Sequence, residues 1–233
     1  MVKDNFLFKI CSYLVHFLTV IGLTTGFLAL LAVLSGKVVE AFLWLALSFF
    51  IDGIDGPFSR WLKVKERSPN ISGEVLDHIV DYFNYVFIPA FMIYWLDLVP
   101  IGTEFLLASI IMLSSCYTFS NINLKTDDNY FTGFPALWNL VVFYLFLLDT
   151  PANVNVYIIL ILSVLIFIPI KFLHPFRVKK YRALTLLITV CWSITSLLLL
   201  LLGSTAYYYL IFSVWVITNC YFLSLSLLRT LTK

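Results

Sequence analysis

Between Ile10 and Ser35 the chain runs for 26 residues without a single Asp, Glu, Lys or Arg. A helix needs about 20 apolar residues to cross the hydrocarbon core of a bilayer, and backbone polar groups at that depth must be satisfied within the segment. The run is too long for a signal-peptide core and has no small-residue cleavage site, so it is expected to be a span. The pattern continues along the chain. Of its 233 residues 61% are hydrophobic and 12% charged, with a mean hydropathy of +0.98, against about 45–50% and about 25% in soluble domains. These values predict an all-α integral membrane protein.

Breaks at charge, Pro and Gly clusters give about eight transmembrane helices, near 10–35, 39–61, 73–97, 101–122, 131–148, 154–173, 182–202 and 205–228. The short turns "DLVPIGTE", "DTPANVN" and "LLGSTAYY" predict antiparallel hairpins. No linker divides the chain, so residues 1–233 are read as one transmembrane catalytic domain. Cys11, Cys116, Cys191 and Cys220 all fall in apolar segments without metal or disulfide spacing, and are expected to pack as small side chains. The net charge of +2 gives no reason to expect a nucleic-acid partner.

Fourteen of the fifteen Lys and Arg fall on one side of this arrangement, Lys3, Lys125 and Lys233 among them; the other side has only Lys37. The positive-inside rule therefore puts both termini and the loop "WLKVKERSPN" in the cytoplasm.

On that same side lies the stretch "DGIDGPFSRWLKVKERSPNISGEVLDHIVD", residues 52–81. At 100° per residue Asp52, Asp55, Gly56, Ser59 and Arg60 occupy an arc of about 140° on the second span. Asp77 and Asp81 are spaced i, i+4 on the third, hence also on one face. Four converging carboxylates repel one another, and one Arg cannot neutralise them. Hard divalent cations can, and carboxylate oxygens are the ligands that Mg²⁺ and Mn²⁺ prefer. Gly22 and Gly26 in "LTVIGLTTG" form a small-residue ridge suited to helix packing. His16, His78 and His174 are isolated and are read as non-catalytic.

"DGIDGPFSR", twelve residues, then "GEVLDHIVD" resembles the signature of the CDP-alcohol phosphotransferases, Asp-x2-Asp-Gly-x2-Ala-Arg, a spacer, then Gly-x3-Asp-x3-Asp. Asp52, Asp55, Gly56, Arg60, Gly73, Asp77 and Asp81 match in type and order, and Ser59 replaces the usual Ala. Gly53, the long spacer and the number of spans are most similar to the bacterial members that use choline, as is "TDDNYFTGFPALWN" at 126–139. The resemblance implies a six-helix core, here with two added C-terminal helices, and a homodimer in the cell inner (cytoplasmic) membrane, with the active site facing the cytoplasm. It implies a divalent metal site, Mn²⁺ or Mg²⁺ and two ions, held by Asp52, Asp55, Asp77 and Asp81. Asp81 would also be the catalytic base. Asp52, Gly56, Ser59, Arg60 and Gly73 would surround the nucleotide.

The implied reaction moves the phosphatidyl group of CDP-diacylglycerol to choline and releases CMP. Serine, inositol or glycerol 3-phosphate are alternative acceptors. A cation transporter is a remote alternative, because its acidic residues should be spread through the depth of several helices. Aromatic faces bind a quaternary ammonium. Tyr82, Tyr85, Tyr130, Phe131 and Trp138 are the candidates, with Asn84 on the Gly73–Asp77–Asp81 stripe as a polar one. In "KFLHPFRVKKYR", residues 171–182, Arg177, Lys180 and Arg182 are candidates for the lipid phosphates, and attraction to anionic membrane lipids would draw on the same charges.

Overall fold

The computed structural model describes residues 6–121, 126–203 and 206–232, so Lys3, Lys125 and Lys233, together with residues 122 and 205 at the ends of two expected spans, lie outside it. The chain starts with α1 (Phe6–Leu34) and α2 (Val38–Trp61), joined by a tight turn. Gly36 takes φ +71°, the Lys37 N–H donates to the Ala32 carbonyl, and the Gly36 N–H donates to that of Val33. This paired-bond helix stop needs a residue without Cβ.

A short helix, α3 (Val64–Arg67), occupies the spacer. α4 (Gly73–Tyr82), a π-helical turn (Phe83–Phe87) and α5 (Ile88–Trp95) form one continuous rod. Ser72 caps its start, accepting the Val75 N–H at 3.3 Å. Then come α6 (Glu104–Ser120), α7 (Trp138–Leu147), α8 (Ala152–Leu165), α9 (Arg182–Leu202) and α10 (Tyr208–Leu231). The sole sheet among the described residues is an antiparallel pair, β1 (Phe131–Thr132) with β2 (Lys171–Phe172).

Three helices, Leu7–Leu34, Arg182–Leu202 and Tyr208–Leu231, are long and apolar enough to cross a membrane. Leu113, Leu187 and Ile217 are each more than two-thirds exposed, a pattern suited to lipid. Ala29, Val33, Ile88, Met92, Ile111, Trp138, Val142 and Ile159 form the packed centre.

Two expected spans differ in detail. Helix covers 138–147 of the segment read as 131–148, and ends at Leu165 in the segment read as 154–173. Pro135 and Pro169 have no N–H to give, so helix cannot run through them unbroken. The two non-helical stretches satisfy each other: the Gly133 N–H donates to the Ile170 carbonyl at 2.8 Å and the Phe134 N–H to that of Leu165 at 3.0 Å. Irregular backbone at this depth is tolerable when protein covers it in this way.

Candidate active site

α2 and α4 bring the acidic residues together. Carboxylate oxygens of Asp52, Asp55 and Asp77 lie within 4.8 Å of one another. Asp81 is one turn further along α4 and lines the same small cavity, about 10 Å³, with Thr19, Gly22, Ser48, Ile51 and Val80. That is room for a bare ion or one water, not for a nucleotide.

Two hydroxyls fix the carboxylates from outside. The Thr19 hydroxyl donates to Asp55 Oδ2 at 2.6 Å, and the Tyr85 hydroxyl donates to Asp52 Oδ2 at 3.0 Å. Both donors are neutral, so they orient the anions without cancelling their charge. Oxygen-only ligands held by such neighbours fit a hard divalent cation.

The approach of α1 makes the arrangement possible. A Cβ at Gly22 would stand 2.7 Å from Val80 Cγ1, and one at Gly26 would run into the Asn84 amide and the Phe83 ring. The expected packing ridge is therefore real, and it presses α1 against α4. Thr19 belongs to the same stripe, one turn before Gly22. The sequence reading passed over it, although its i, i+3 spacing from Gly22 was a usable signal.

The nucleotide candidates cluster at the end of α2. The Arg60 guanidinium folds back over Gly56, where a Cβ would lie 3.4 Å from Nη1. Gly73 starts α4 beside His16, and a Cβ there would lie 3.2 Å from Cε1. His16 Nε2 also meets the Ser68 hydroxyl at 2.9 Å, pinning the spacer to α1. Arg177 is within electrostatic reach of Asp52 and Arg60, and Arg182 within reach of Arg60. Lys180 lies over the Tyr181 ring, 5.5 Å from its centroid. Phe176 was not foreseen. Its Cζ would be 3.6 Å from a Cβ at Gly53. Alongside lies an apolar groove of about 280 Å³ lined by Gly53, Ile54, Pro57, Phe58 and Trp61.

The aromatic candidates are scattered. Tyr85 reaches the carboxylates directly, with the Phe49 ring 6.1 Å away. The Tyr82 hydroxyl donates to the Met112 carbonyl and its ring meets Phe119 edge-on. Tyr130 and Phe131 belong to the β1 region, Tyr130 under Arg229 and Phe131 stacked on His174. Trp138 is wholly buried, its Nε1–H bonded to Ser115 Oγ at 2.8 Å and its ring against Phe134. Asn84 is also buried, donating to the Gly22 carbonyl at 3.0 Å. These two side chains pack helices together. His78 turns away to Phe119.

A membrane-embedded, all-helical frame with an Asp-Gly-rich helix end facing a second acidic helix defines the class. The chain belongs to the CDP-alcohol phosphatidyltransferase family, whose sequence profile matches residues 13–170. It is 40% identical over 216 residues to phosphatidylcholine synthase of Pseudomonas aeruginosa, covering 93% of this chain and 90% of that protein. It is similarly 41% identical over 184 residues to the phosphatidylcholine synthase of Agrobacterium fabrum, 79% of this chain and 76% of the other. For that of Borreliella burgdorferi the figures are 39% over 181 residues, 78% and 77%.

Proposed function

We propose that this chain transfers the phosphatidyl group of CDP-diacylglycerol to choline and releases CMP. The observation that carries the reading is the convergence of the Asp52, Asp55 and Asp77 oxygens within 4.8 Å, across two helices of a family member. Similarity to three phosphatidylcholine synthases supports choline as the acceptor.

Asp52, Asp55 and Asp77 would hold divalent metal, Mn²⁺ or Mg²⁺, with Asp81 at the edge of the set. When bound, the metal supplies positive charge that offsets the phosphate oxygens and the leaving CMP. Gly56, Ser59, Arg60 and Gly73 border the nucleotide, and Arg177 and Arg182 add positive charge beside it. Asp81 takes the proton of the choline hydroxyl. The choline oxygen bonds to the phosphorus next to diacylglycerol, the bond from that phosphorus to the CMP oxygen breaks, and CMP leaves with that oxygen. Acyl chains would rest along the groove beside Gly53 while the headgroup enters from the bilayer. Tyr85, whose hydroxyl already reaches Asp52, is the aromatic best disposed to meet the ammonium, with Tyr82, Tyr130 and Phe131 as further candidates. The site faces the cytoplasm of the inner membrane, where CDP-lipid displays its nucleotide, and the protein works as a homodimer.

The test is purified protein with CDP-diacylglycerol, Mn²⁺ and a panel of choline, serine, inositol and glycerol 3-phosphate, scored by CMP release. Release with choline is expected. Release with serine alone would keep the family and remove the acceptor, and no release with any alcohol would remove the enzyme.

A further inference from the structure

The family-wide match stops at Ile170, one residue before β2. Beyond it the chain forms a strap, residues 171–181, and the α9–α10 pair. β1 satisfies one edge of β2, and the other edge still has N–H groups that need acceptors. α10 supplies them. The Lys171 N–H donates to Thr230 Oγ1 at 2.9 Å and the Leu173 N–H to Ser226 Oγ at 3.1 Å. Residues 171 and 173 share a strand edge by the two-residue period. Ser226 and Thr230 share a helix face by i, i+4 spacing, so two hydroxyls stand where a third strand would.

Arg229, on the adjoining position, closes the clasp. Its Nε–H donates to Asp128 Oδ2 at 2.7 Å and its Nη2–H to Oδ1 at 3.4 Å, tying the approach to β1 to the same helix end. Tyr130, Leu173 and Val178 are buried there against Phe222 and Leu225. The clasped segment then reaches the active site: Phe176 lies against Gly53, within "DGIDG", and Arg177 comes within electrostatic reach of Asp52.

We infer that α10 is a positioning element for the reaction: Ser226, Thr230 and the Arg229–Asp128 pair hold the strap so that Phe176 and Arg177 stand over the nucleotide end of α2. This rests on the phosphatidyl-transfer reading. None of the four residues is placed at a reacting atom; they act through the strap. A helix that only anchored the chain in lipid would have no reason to set two hydroxyls on the β2 backbone edge and a two-pronged Arg on Asp128 beside β1.

The test is the Ser226→Ala/Thr230→Val double variant, assayed by CMP release with each substrate varied in turn. Two lost bonds should raise the KM for CDP-diacylglycerol roughly tenfold and leave that for choline unchanged. Ser226→Thr/Thr230→Ser keeps both hydroxyls and should restore the wild-type value. Asp128→Arg and Arg229→Asp should each raise the same KM, and the exchanged pair should recover it. A wild-type profile in the double variant, or equal rises in both KM values, would overturn the proposal. If the double variant does not accumulate, the charge exchange decides, and failure to recover overturns the proposal. A readout independent of turnover separates this from the functional reading. The thiol of Val178→Cys, 2% exposed at that position, should label several-fold faster once the clasp is broken. Unchanged labelling counts against the clasp even if the wild type released no CMP.

Discussion

Thr19 and Asp81 carry the sharpest expectations for single side chains. Thr19 is the hydroxyl donor on the most buried of the clustered carboxylates, Asp55. Outer-shell partners of metal ligands are worth about 10–100-fold in metal affinity. Thr19→Val should therefore raise the Mn²⁺ concentration for half-maximal CMP release by a factor in that range, with little change in protein yield. Asp81→Asn should abolish turnover while CDP-diacylglycerol binding, followed by equilibrium binding in detergent, persists. Retained turnover would remove Asp81 as the base. The four aspartates were legible because their spacing puts them on two helix faces. The hydroxyl of Tyr85 was not, although its aromatic ring was noticed. The π-helical turn Phe83–Phe87 adds a residue to the helix and rotates the residues after it by about 100°. Facing beyond the turn cannot then be read from a regular period; within it, Asn84 donates to the Gly22 carbonyl of α1.

Among the helices, the contact of α1 with α4 matters most, because α4 brings Asp77 and Asp81 to α2. Gly26→Ala would set a methyl group into the Asn84 amide and the Phe83 ring. Overpacking of this kind costs about 1–3 kcal/mol. The variant should show a lowered thermal midpoint in detergent together with reduced CMP release; an unchanged midpoint would mean the ridge is slack. The spacing of Gly22 and Gly26 located the ridge, and hydropathy located the helices. Hydropathy missed the breaks at 131–137 and 166–170, since "FTGFPAL" and "IFIPI" stay apolar while their prolines interrupt helix. It also said nothing of the clasp, which joins Asp128 to Arg229 across 101 positions.

For the whole molecule, charge asymmetry and site location make one joint claim about sidedness. The loop before α6 should face away from the cytoplasm, opposite the carboxylates. Ile101 is 94% exposed in that loop. Ile101→Cys should react with a membrane-impermeant thiol reagent added to intact cells or spheroplasts, above the background of the four native cysteines. A cysteine at Lys65, in the spacer, should react only after the membrane is opened. The reverse pattern would invert the topology. The frame as a whole sets a carboxylate-lined helix end, the proposed metal site, where a lipid-borne nucleotide and a water-borne alcohol would meet.

The most direct measurement is isotopically labelled choline with CDP-diacylglycerol and purified protein, following label in phospholipid and CMP together. Wild type and Asp55→Asn would be compared before and after chelation of divalent metal. Label should enter phospholipid in step with CMP in the wild type, vanish on chelation and return with Mn²⁺, and be absent from Asp55→Asn throughout. Choline incorporation that survives either chelation or Asp55→Asn would contradict a metal-dependent transfer centred on these carboxylates.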